Sequence, residues 1–171
     1  MKTVLAALAL LSAAAVLPLV GQGDTENSRR TLAGLTGVYV SVSKMTEEEQ
    51  RIGLSNPQLE TDVELKLREA GIRVLAKDDP NPVPGVPFLY VTVSTLKLTG
   101  LPGVYAFSVE VELIQFARLE RDKSVVCLGR TWNATAVFGT VGQDKLEGGL
   151  RTTIRDLTDQ FINAYLAANP K

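Results

Sequence analysis

The sequence predicts an α+β domain: a single mostly antiparallel sheet in the order β-α-β-β-β-β-α, with two helices packed on one face. Three observations carry this. Val38, Val40 and Val42 alternate with Tyr39, Ser41 and Ser43, the period of a half-buried strand. Long runs between 88 and 140 repeat that alternation and are separated by turn residues, as in a meander. Leu146, Leu150, Ile154, Leu157, Phe161, Tyr165 and Ala168 then recur at spacings of three and four, the apolar stripe of an amphipathic helix.

The chain begins with Met1-Lys2, and from Val4 to Val20 only Ser12 and Pro18 interrupt Ala, Leu and Val. A basic start, a short apolar run and then Gly21-Gln22-Gly23 have the form of a secretory signal peptide. A retained anchor is the competing reading, since a spanning helix needs about 20 apolar residues. Pro18 and the small residues after it favour cleavage. No cysteine lies near the junction to carry a lipid. The expected organisation is a signal peptide at 1–23, a flexible mature amino terminus at 24–34, and one α+β domain at 35–171. The expected location is extracytoplasmic, periplasmic or secreted, with no transmembrane segment after cleavage.

Composition narrows the chemistry. The 171 residues hold no histidine and one cysteine, Cys127. Ser-His-Asp and Cys-His catalysis both need an imidazole base, so neither is available. Zinc sites built from His or from several thiolates are excluded for the same reason. One cysteine cannot form an internal disulfide, so stability must come from a core. The apolar fraction of 45% suffices for one. A net charge of −1 lacks the basic excess of a nucleic-acid binder. There is no phosphate loop or EF-hand spacing. No cofactor and no metal are implied.

The elements follow in order. After the first strand, Thr46-Glu47-Glu48-Glu49 forms a capping box that starts a short helix, ended by Gly53. Ser55-Asn56-Pro57 starts a second helix, with Pro in the first turn where a missing N–H costs little. Leu59, Val63, Leu67 and Ala70 form its stripe, and Gly71 ends it. Residues 72–75 resume as strand. Residues 77–87, with Pro80, Pro82, Pro84 and Pro87, must be loop. Three long strands are expected next, at 88–98, 104–119 and 124–140. In the second, Tyr105, Phe107, Val109, Val111 and Leu113 share a face, and the apolar phase then slips to Ile114 and Phe116, the sign of a bulge or a strong twist. In the third, Trp132, Ala134, Ala136 and Phe138 share the core-facing parity. Asp144 is placed to cap the closing helix, with Arg151, Arg155, Asp159 and Asn163 on its outer side.

The helix-to-strand join from Val63-Glu64-Leu65-Lys66 to Gly71-Ile72-Arg73-Val74, the long strands and the closing helix resemble the lipopolysaccharide-assembly lipoprotein (LptE) family. More loosely, they resemble the amino-terminal domain of the TolB proteins. The resemblance covers most of the mature chain as architecture. It implies this fold and an envelope setting. The leader here lacks the lipobox cysteine of LptE, and no residue role is carried over.

The candidate binding face comprises Tyr39, Tyr90, Glu110, Glu112, Thr131 and Asn133, the polar sides of the strands. Glu110 and Glu112 lie about 7 Å apart by strand rise, a separation open to paired-carboxylate chemistry. Any strand with Glu at i and i+2 has that spacing. Asn133-Ala134-Thr135 matches a glycosylation sequon inside a strand. Two function classes result. One is an exported, non-catalytic protein that binds a protein or envelope component and no nucleic acid. The other is a carboxylate-based hydrolase or small-ligand binder using the polar sheet face.

Overall fold

The computed structural model describes residues 23–170 other than 77, 80 and 82. The expected signal peptide lies outside the described residues, apart from Gly23. Four helices and five strands follow one another: α1 Glu26–Arg30, β1 Tyr39–Val42, α2 Glu47–Arg51, α3 Asn56–Glu69, β2 Phe88–Lys97, β3 Val104–Leu119, β4 Asp122–Asn133, β5 Val137–Gly142 and α4 Gln143–Ala168. The sheet order is β1-β2-β3-β4, with β5 also on β3. β1 runs parallel to β2, and every other pairing is antiparallel. The fold is α+β, with a mixed sheet.

Local signals place the helices. Thr46 accepts from Glu49 N, and the Glu49 carboxylate accepts from Thr46 N at 2.7 Å, closing the capping box of α2. Ser55 caps α3, with Pro57 in the first turn. Gly53 and Gly71 take φ of 96° and 78°, the left-handed region where a Cβ is costly, and each stops its helix. α4 is capped differently from expectation. Its N-cap is Gly142, which offers no side-chain acceptor, and Gln143 N donates to Gly103 O instead. Asp144 sits in the first turn, where a negative charge meets the positive end of the helix dipole.

The core lies between one sheet face and the long helices. Leu89, Val91 and Val93 of β2 and Tyr105, Val109, Val111 and Leu113 of β3 point inward. They meet Leu59, Val63 and Leu67 of α3 and Leu146, Leu150, Ile154, Leu157 and Phe161 of α4, all buried. Each such side chain contributes about 1.5–3 kcal/mol on burial. Arg151 of α4 reaches Asp62 of α3 at 2.7 Å, and Lys66 of α3 reaches Asp159 at 2.7 Å. These two residues of α4 therefore face its neighbour helix. Arg155 and Asn163 are exposed.

Three expectations are corrected. Residues 72–75 do not form a strand: only Val74 bridges, parallel to Val38. Residues 124–140 are two strands. Between the pairs Val109↔Val137 and Glu112↔Asn133, β3 advances three residues and its partner four. That extra residue reverses which face each later side chain occupies. Trp132 and Ala134 remain inside, at 0% and 2% exposure, whereas Phe138 turns out at 64%. The third correction concerns 24–34, expected to be flexible. It forms α1 under a Thr25 capping box and delivers Leu32, fully buried, to the core. Asp24 accepts from Trp132 Nε1 at 2.9 Å, and Asn169 Nδ2 donates to Leu32 O at 2.9 Å. Tyr165 OH donates to Leu35 O at 2.8 Å. The first described segment is thus tied to β4 and to the end of α4.

Candidate functional site

Among the described residues no helix covers the sheet's second face. Register arranges its side chains in cross-strand rows. Ser41, Tyr90, Glu112 and Asn133 form one row. Tyr39, Phe88, Ile114 and Arg130 form the next, with the Tyr39 and Phe88 rings 5.1 Å apart. Thr92 and Glu110 lie opposite each other. Directly opposite residues share a face. Five of the six candidates, Tyr39, Tyr90, Glu110, Glu112 and Asn133, therefore lie on this side.

Thr131 does not join them. A bulge between Leu113 and Ile114 sets Leu113 opposite Trp132 and Ile114 opposite Arg130, leaving Thr131 as the extra residue. Its hydroxyl accepts from Gln115 Nε2 at 2.9 Å, and its carbonyl accepts from Thr31 Oγ1 at 3.2 Å. The apolar slip at Ile114 and Phe116 anticipated this bulge.

The same bulge brings in Arg130, which strict alternation would have placed beside the core-facing Trp132. Arg130 Nη1 donates to Glu112 Oε1. Its hydrogen bond and attraction to Glu112, with a smaller attraction to Glu110, push the Arg130 pKa up. The centre of the face is thus an Arg between carboxylates, flanked by tyrosines. Apolar side chains stand exposed beyond it. Leu96 and Phe138 lie at one end, at 66% and 64%, and Phe116 and Leu128 at the other, at 47% and 59%. Such a surface can pack against rings and apolar side chains and pair with charges of either sign.

A polar cleft of about 510 Å³ separates α3 from α4, lined by Asp62, Lys66, Arg151 and Asp159 among others. These four are already joined across it as ion pairs. Among the described residues no group of three or more His, Cys, Asp or Glu side chains is placed to hold a metal ion. Among them, too, no helix is long and apolar enough to cross a membrane.

Fold and face together define an α+β protein with one sheet, covered by helices on one face and, among the described residues, open on the other. No family model matches the chain, and no curated protein matches it. Solved structures similar to it include two lipoproteins. Rare lipoprotein B from Shewanella oneidensis aligns over 75% of this chain and 94% of its own, with 13% identity and a TM-score of 0.37. A minor lipoprotein from Acinetobacter baumannii aligns over 79% of this chain and 93% of its own, with 14% identity and a TM-score of 0.39. The likeness is remote at these values, and no residue's role follows from it.

Proposed function

We propose that this is an exported, non-catalytic binding protein that presents its uncovered sheet face to a protein of the cell envelope. One observation carries the reading: apolar side chains stand exposed on that face while the opposite face is buried under α3 and α4. Exposed apolar side chains grouped on one face, as Leu96 and Phe138 are beside Ala106 and Phe107, are a mark of an interaction site. Tyr39, Tyr90 and Arg130 at its centre are residue types enriched at the hot spots of protein interfaces. The engagement of Glu112 by Arg130 favours binding over carboxylate catalysis. The apolar run at 4–20 supports export.

The test is photo-crosslinking in the exported fraction, with the crosslinker at Tyr90 or Phe138 and, as control, at Arg155 on the helix side. The expected result is a discrete adduct from the sheet positions alone. Adducts of equal yield from Arg155, or none from Tyr90 and Phe138, contradict the proposal. Mass spectrometry of the same fraction tests export: the amino terminus should fall between about 15 and 25, near the expected cleavage site. A chain that starts at Met1 contradicts cleavage.

A further inference from the structure

Strand register sorts the side chains of the open face. Opposite residues share a row, and diagonal positions lie about 7–8 Å apart, within reach of aromatic and long side chains. Glu110 of β3 sits opposite Thr92 of β2. In the next row, Ser94, Ser108 and Phe138 line up across β2, β3 and β5. In the row on the other side, Tyr90 faces Glu112. Phe138 and Tyr90 are therefore both diagonal to Glu110, one from each side of β3.

Charge is unbalanced at the centre of these rows. Arg130 is taken by Glu112, and its attraction to Glu110 is the smallest of the effects on its guanidinium. Among the described residues no hydrogen bond or ion pair holds the half-buried Glu110 carboxylate. Thr92, Ser94 and Ser108 surround it with hydroxyls, which can accept hydrogen bonds but carry no charge. Beside this group is a shallow cavity of about 240 Å³, lined by Leu96, Ala106, Phe107 and Phe138 among others. The Phe138 wall is the ring whose exposure the fold itself does not require.

We propose that the protein bound on the open face sets an arginine on Glu110 and, two residues away, an apolar side chain in the cavity beside Phe138. This rests on the open-face reading and names the chemistry that face selects. Complementarity to the unpaired carboxylate requires a cation. Arginine suits the surroundings better than lysine. Its planar guanidinium stacks on aromatic rings, which stand on both sides of Glu110, and its five N–H groups can serve the carboxylate and the neighbouring hydroxyls together. The spacing follows from strand geometry. Side chains on one face of an extended segment recur at every second residue, about 7 Å apart. The step from the Glu110 row to the Ser108–Phe138 row is the same two residues.

The experiment places a photo-crosslinker at Thr140, exposed and one row beyond Phe138, so that Glu110, both rings and the cavity lining stay intact. In the exported fraction it should give one adduct. Mass spectrometry of the crosslinked partner peptide should find an arginine with an apolar residue two positions away. Glu110→Gln should lower the yield about tenfold, as loss of a desolvated charge pair does, with an unchanged denaturation midpoint. Added salt should lower the yield with Glu110 in place and leave that of Glu110→Gln unchanged. A yield undiminished by Glu110→Gln or by salt, a partner peptide without that pair of residues, or no adduct from Thr140 while Tyr90 gives one overturns this inference alone. Silence at Thr140, Tyr90 and Phe138 together overturns the open-face reading with it.

Discussion

Trp132→Ala is the sharpest probe of how the segment around Asp24 is held against β4 and α4. The indole is fully buried and packs edge-on against Phe161, with centroids 5.3 Å apart. Its Nε1 donates to Asp24 at 2.9 Å. Removing a core aromatic of this size costs about 3–5 kcal/mol, because the cavity collapses only in part. For a chain of this length each kcal/mol moves the melting midpoint by about 2–4 °C, so a fall of roughly 6–20 °C is expected. Trp132→Phe separates the terms. It keeps a ring against Phe161 and loses the donor to Asp24, a bond to a charged group worth about 1.5–3 kcal/mol. Thermal and urea denaturation followed by far-UV circular dichroism measure both. An unchanged midpoint for Trp132→Ala would place the indole at the surface and refute the clasp between Asp24 and β4.

Other expectations follow from the same contacts. The Arg29 hydrogen bond, with help from Trp132 and against the effect of burial, holds the Asp24 carboxyl below the usual carboxylate range. A depressed pKa gives stability that is full above the unfolded value of about 3.9 and is lost as pH falls through the folded one. Asp24→Asn should therefore destabilise at neutral pH, and the gap from the native chain should close in acid; a gap that persists below the folded pKa contradicts this. Glu49 is buried and accepts from Thr46 N and Thr95 N, at 2.7 and 3.1 Å. Glu49→Ala leaves those donors unpaired at a cost of about 1–3 kcal/mol each, and a urea midpoint equal to the native one would show that the bridge from α2 to β2 carries no stability. Phe161→Asp sets a carboxylate in the core and should abolish cooperative unfolding, while exposed Asn163→Asp should shift stability by no more than about 0.5 kcal/mol. Cooperative melting retained in Phe161→Asp would remove α4 from the core.

What was legible in the sequence was local. The Thr46–Glu49 box, the Ser55–Pro57 start and the stripe from Leu146 to Phe161 each depend on neighbours within a turn or two. Distant contacts were not legible. Nothing near 24–34 announces that Asp24 will meet Trp132 or that Leu32 O will meet Asn169. The extra residue between Asn133 and Val137 was also invisible, because small and apolar residues run through it without a phase signal. It is why Phe138 shares the parity of Trp132 in the sequence yet stands on the open face. The phase slip at Ile114 is legible on β3, but nothing in β4 shows that Thr131 is the extra residue, so strict alternation puts Thr131 on the open face and Arg130 off it. The Tyr39, Tyr90, Glu110 and Glu112 group was readable because the parity of β1, β2 and the first part of β3 is unbroken.

The central claim is that the sheet is covered on one face and offers the other for binding. Phe138→Ser tests it with two readings on one variant. The account predicts a stability within about 0.5 kcal/mol of the native chain, as for a surface change, together with loss of the adduct formed from a crosslinker at Tyr90. A fall of about 3–5 kcal/mol, the cost of emptying a core aromatic site, would show that the face is packed rather than open and would contradict the account.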